Sequence, residues 1–295
     1  MAKRVFVVGA GASFDYGLPL GIGLKTKIAQ ALRVTVDNGR HGMQDHAIRR
    51  ALELSLSRHG AAPDGFVSLL SRASEISRGM SFAPSIDNYV HAHSDVPLLV
   101  RVAKIGIAKA ILEAEAGSRL NGCHQQEVGQ SPGGWLEPFF HRLVEGVRFD
   151  DLPRRLKQIG LIVFNYDRCV EYFLMHAVQS FFKVSAFDAR QALESLEIVH
   201  PYGDVGVLPE YVDGDDLVNA VPFGGGAALS EKVVEAADRL KTFTEGVSES
   251  QRSFWRLKEM LADAQTVVFL GFAYASMNLE LIERARKSAR VFSTC

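Results

Sequence analysis

The apolar and polar positions divide the chain into short continuous apolar runs and longer stretches of helical period. Residues 4–8 form a β-branched apolar run that stops at Gly9, the pattern of a buried parallel strand. Leu161-Ile162-Val163-Phe164 repeats that pattern and stops at Asn165. Glu197-Ile198-Val199-His200 is a third run, closed by Pro201 and Gly203, and residues 266–270 are a fourth, ending in Gly271. A last strand is expected over 289–294. Helical period covers 23–33, 45–58, 96–116, 230–243, 250–264 and 277–288. Residues 38–150 carry few strand signals and read as a large, mostly helical insertion with loops at 61–65 and 117–134. The polar, glycine-rich stretch 203–226 reads as loop. Strands alternating with helices predict an α/β fold with a doubly wound parallel sheet. The expectation is a single domain over 1–295, with the insertion inside it. Such sheets bind ligands outside the C-terminal ends of their strands. The places to look for chemistry are therefore 9–13, 165–167, 200–203 and 271–278.

Charge narrows the function classes. The chain has 33 basic and 34 acidic side chains, a net charge of −1, so no basic excess exists to neutralise many phosphates and nucleic acid is not indicated. The basic run Arg284, Arg286, Lys287 and Arg290 reads as a solvated helix face. Cys123, Cys169 and Cys295 are too few and too scattered for a disulfide framework or a paired-cysteine zinc module. They fit a reducing, cytoplasmic setting. The apolar run before Gly9 is too short for a signal peptide, and no stretch reaches the roughly 20 apolar residues of a membrane span.

Gly9-Ala10-Gly11-Ala12-Ser13 directly follows a strand, where glycines let a backbone approach a pyrophosphate. A side chain at Gly11 is expected to push that group off the turn's amides. Phe14 stands where the third glycine of the dehydrogenase fingerprint would be, which argues against a nicotinamide-dependent oxidoreductase. Asn165-Tyr166-Asp167 is a polar triplet at a strand end. It either caps the next helix or faces a cleft. His200 is open to the same two readings, a hydrogen-bonded structural residue or a functional one. His91-Ala92-His93-Ser94-Asp95 resembles the opening of a metallohydrolase signature, but Val96 replaces its last histidine and no metal is expected. Cys169 could be a nucleophile with His200 as base; its apolar neighbours favour a buried, inert thiol. Gly224-Gly225-Gly226 reads as a flexible loop or a mobile lid.

Together these segments resemble the sirtuin-like NAD-consuming domains of bacterial antiphage defence. The resemblance rests on 9–13 followed by Gly17-Leu18-Pro19, on Ser85-Ile86-Asp87-Asn88-Tyr89, and on Phe164-Asn165-Tyr166-Asp167 with Glu171 one turn on. His200-Pro201-Tyr202-Gly203 and Leu270-Gly271-Phe272-Ala273-Tyr274 through Asn278 complete it. It implies a Rossmann-like, sirtuin-type sheet with NAD+ as substrate rather than cofactor. It places the pyrophosphate on Gly9, Ala10, Gly11, Ala12 and Ser13, with Tyr166, Gly271, Phe272 and Asn278 as further contacts. It makes Asn165 the residue at the nicotinamide ribose and attacking water, Asp167 the carboxamide contact and His200 the base. Lacking the four-cysteine zinc module of deacetylases, and with Tyr166 in place of their aliphatic residue, the chain is expected to hydrolyse the glycosidic bond rather than remove acyl groups. A toxic NADase implies control, hence an activating partner or further domain, or homo-oligomeric assembly. A non-catalytic module sensing NAD or ADP-ribose is the alternative.

Overall fold

The computed structural model describes residues 3–37, 40–59, 65–122, 133–246, 252–283 and 289–294. Cys123, Cys295, the basic residues Arg284, Arg286 and Lys287, and most of the expected loops at 61–65 and 117–134 lie outside the described residues.

The chain opens with β1 (Lys3–Val8), α1 (Ala10–Phe14), α2 (Gly21–Ala31) and a hairpin of β2 (Val34–Asp37) and β3 (Arg40–Met43). It continues through α3 (His46–His59), α4 (Phe66–Gly79), α5 (Ile86–Ala92), α6 (Pro97–Ala116), α7 (Leu136–Val144) and α8 (Leu152–Leu156). Then come β4 (Ile159–Val163), α9 (Cys169–Phe182), α10 (Ala186–Leu193) and β5 (Glu197–Val199). The described chain closes with α11 (Leu229–Arg239), α12 (Phe243–Gly246), α13 (Arg252–Ala262), β6 (Ala264–Leu270), α14 (Ser276–Glu283) and β7 (Arg290–Ser293).

The strand expectations hold to within two residues or so at each end. The helix expected over 230–243 stops at Arg239, because Leu240 turns to extended backbone. The hairpin inside the helical segment is the element not anticipated. Its strands are short and β3 is polar, so periodicity is silent, although Asn-Gly at 38–39 is a hairpin dipeptide.

Five strands form one parallel sheet in the order β5-β4-β1-β6-β7. Numbered as the chain visits them, that order is 3-2-1-4-5, the order of a Rossmann-like sheet, and it reverses between β1 and β6. Alternation along each strand splits the core in two. Val5, Val7, Ile162, Val267 and Phe269 face a cluster with α2 to α6, α11 and α13. Val8, Leu161 and Val163 face another with α7 to α10. The helical segment before β4 shares these clusters with the sheet: α3 to α6 contribute to the first and α7 and α8 to the second. Apolar on nearly every side, α6 runs through the first cluster and packs on α2, α3, α4 and α11. Among the described residues no helix is long and apolar enough to cross a membrane.

Candidate active site

The strand order reverses where the ends of β1 and β6 lie side by side, and glycine makes that contact possible. Gly9 N–H donates to Leu270 O and Gly11 N–H to Gly271 O, each at 2.9 Å. A Cβ on Gly11 would lie 2.8 Å from Gly271 O, and one on Gly271 would lie 2.1 Å from Ala12 N. Gly271 also has φ +53°, a conformation that favours glycine. The two turns interlock backbone to backbone. Gly11 is thereby held against Gly271 and is not among the residues that line the cleft described below. Gly271 and Ala12 do not line it either, and Ala12 is buried in the core beneath α7. The glycine turn is not an open loop, since α1 begins at Ala10.

Above the interlock lies a cleft of about 220 Å³. Of the expected residues, Gly9, Ala10, Ser13, Asn165, Tyr166, Asp167, Phe272 and Asn278 line it. Its aromatic part is Phe164, packed edge to face on Phe272 at 5.2 Å and on Tyr202 at 5.7 Å. A larger depression of about 380 Å³ between α3, α6 and α11 lies away from the strand ends, and its Lys104 is paired with Glu245.

Asn165 extends from the end of β4. Its Nδ2 donates to Gly9 O at 3.1 Å and to Ser13 Oγ at 3.0 Å, which joins the ends of β1 and β4. Ser13 Oγ in turn donates to Asp167 Oδ1 at 3.1 Å, and that oxygen also accepts from Cys169 N–H. Asp167 lines the cleft and, one residue before the α9 N-cap Arg168, also accepts from the first amide of that helix. Burial pushes the Asp167 carboxyl up, against the hydrogen bonds from Cys169 and Ser13. Tyr166 donates its hydroxyl to Asp87 Oδ1 at 2.8 Å, and Tyr202 donates to Asn278 Oδ1 at 2.8 Å.

His200 is placed differently from the expectation. It is not among the residues lining the cleft and sits behind Asn165. Its Nδ1 lies 3.0 Å from Asn165 O and its Nε2 2.8 Å from Glu171 Oε1, so both ring nitrogens face acceptors. Burial opposes its charge, but the Glu171 carboxylate, helped by Asp204 and by the carbonyl of Asn165, outweighs burial and pushes the pKa up to about 9. The residue expected as a base near its ordinary pKa is thus held between Asn165 O and Glu171, a setting that favours its protonated form.

Other expectations resolve around this wall. Cys169 is buried, its thiol pushed well up by burial and by Asp167. His93 Nδ1 bonds Tyr89 O at 2.8 Å and its ring stacks on Tyr89, while His91 lies edge-on to Phe243. In the glycine triplet at 224–226, Gly224 is held in place: its N–H donates to Glu115 Oε2, and a Cβ there would meet Ala116 at 2.8 Å. It forms part of a buried assembly around Arg168. That guanidinium binds Glu115 Oε1 at 3.1 Å and Oε2 at 2.5 Å, as well as the carbonyls of Gly206, Val221 and Pro222.

Asp87, Asn88, Tyr202, Phe243 and Met277 also line the cleft and were not among the expected site residues. Asp87, Asn88 and Tyr202 lie in motifs that carry the resemblance and Met277 in a strand-end segment, but only packing brings α5 over the end of β4. No model of a known protein family matches the chain, and no curated protein or solved structure matches it significantly.

Proposed function

We propose that this chain hydrolyses the N-glycosidic bond of NAD+, releasing nicotinamide and ADP-ribose, in the manner of the sirtuin-like defence domains its motifs resemble. The observation that carries the reading is Asn165, an amide held by Gly9 and Ser13 at the wall of a cleft beside the strand-order reversal. The bond to a pyridinium has a neutral leaving group, so no strong acid is needed. The protein's task is to position the ribose and a water and to exclude the rest of the solvent. Phe164, Phe272 and Tyr202 give the nicotinamide ring an apolar surface. The cleft is below the roughly 300–1,000 Å³ of most ligand pockets. It therefore takes the nicotinamide riboside end, with the rest of the dinucleotide along its mouth.

The wider role follows the same resemblance: a toxic effector of antiphage defence, activated by assembly into a homo-oligomer or by a partner. A second reading, a module that senses NAD or ADP-ribose without turnover, is favoured by one observation. His200 is engaged at both ring nitrogens, and the Glu171 carboxylate favours its charged form, which counts against a role as base. The test is to incubate the pure protein with NAD+ over a range of protein concentrations and follow nicotinamide. Turnover per chain is expected to rise with assembly, and Asn165→Ala to lower it about 100-fold or more. NAD+ binding without release at any concentration favours the sensing module.

A further inference from the structure

With His200 engaged behind the wall, the cleft holds two ionisable carboxyls, Asp167 and Asp87. Asp167 is the more deeply buried, and its Oδ1 accepts from both Ser13 and the α9 backbone. Asp87 is half-buried in the first turn of α5, whose N-terminus is capped by Ser85. It is tied through the Tyr166 hydroxyl to the residue next to Asn165. A carboxylate so placed faces the same volume as the Asn165 amide and is fixed to the same strand end.

We propose that Asp87 is the proton acceptor for the water that attacks the ribose in this cleft. The inference rests on the hydrolase reading and names the base that reading otherwise lacks. In the step, the water oxygen bonds to C1′ as the bond from C1′ to the nicotinamide nitrogen breaks. The electron pair of that bond stays on the nitrogen, which becomes neutral. The water proton passes to the Asp87 carboxylate and then to solvent, so NAD+ and water yield ADP-ribose, nicotinamide and one proton.

The surroundings suit the task. Burial raises the Asp87 carboxyl above the ordinary aspartate range, toward the pKa useful in a base, while the Tyr166 hydrogen bond holds it down. The groups facing it are Tyr166 at the end of β4 and Tyr202 after β5. Lys104 of α6 and Lys241 line a small void beneath it, and Glu245 of α12 pairs with Lys104 at 2.8 Å.

The experiment compares wild type, Asp87→Asn and Tyr166→Phe under conditions where the wild type turns over. It measures kcat for nicotinamide release against pH, ADP-ribose affinity by calorimetry, and thermal unfolding. Asp87→Asn is expected to lower kcat about 100-fold or more, with ADP-ribose affinity and melting temperature close to wild type. Wild-type kcat should fall as acid protonates Asp87. That limb should move to higher pH in Tyr166→Phe, because the bond that favours the carboxylate is gone. Asp87→Asn keeping a tenth or more of wild-type kcat, losing ADP-ribose binding, or failing to fold overturns the assignment. So does a limb that stays in place in Tyr166→Phe. These failures leave the hydrolase reading standing, whereas a wild type that binds NAD+ and releases no nicotinamide overturns both.

Discussion

His200 Nδ1 donates to the carbonyl oxygen of Asn165 at 3.0 Å, so the ring clamps the backbone of the residue whose amide lines the cleft. The clamp is anchored by Glu171 on α9, 2.8 Å from the other ring nitrogen, with Tyr211 donating to the Glu171 carbonyl at 2.9 Å. A single ion pair thus links β5, β4 and α9 directly behind the site.

This pair makes stability depend on pH in a definite direction. The folded pKa of His200, about 9, lies above the ordinary value of about 6.5. Its stabilisation is therefore complete below about pH 6.5 and is lost as pH rises through about 9, amounting to about 3 kcal/mol. Unfolding free energy from urea titrations should fall across that window in the wild type. Glu171→Gln should be less stable at neutral pH and lose most of the slope. An unchanged slope would mean that another group carries the pH dependence.

The interlocked glycines should behave as structural residues. Gly271→Ala forces a left-handed backbone on a side chain and drives its Cβ into the amide of Ala12. The cost is expected to be about 3 kcal/mol or more, since both backbone strain and a steric clash contribute. Gly11→Val should lower the melting temperature together with any ligand affinity. Weakened ADP-ribose binding at an unchanged melting temperature would return Gly11 to the role of a pyrophosphate contact.

Arg168 and Glu115 join α9 to the end of α6. Arg168→Met should destabilise by about 3–5 kcal/mol, because it leaves the Glu115 carboxylate buried without its cation. Adding Glu115→Leu should recover only part of that. The carbonyls of Gly206, Val221 and Pro222 still lose their donor, and a buried unpaired acceptor costs about 1–3 kcal/mol. Full recovery in the double variant, read by chemical denaturation, would show that the loop carbonyls find other partners.

The sheet was legible because its signal is local. An apolar run such as Val5 to Val8 or Leu161 to Phe164 belongs in the core, and its abrupt polar or glycine end marks where the strand leaves it. The strand ends then identified Gly9, Ser13, Asn165 and Asp167 as cleft residues, and the apolar neighbours of Cys169 marked its burial. Periodicity carries no information about partners far away in the chain, and those decide the rest. Whether a histidine at a strand end is a base or a clamp depends on Glu171, which lies 29 residues away on α9. Whether Gly11 meets a phosphate or a backbone depends on Gly271 arriving from the other side of the reversal. Asp87 reaches the cleft because α5 docks over the end of β4, where Tyr166 meets it from 79 residues away. Burial and Coulomb interactions act through space, so the partners that meet these residues are decided by the packing.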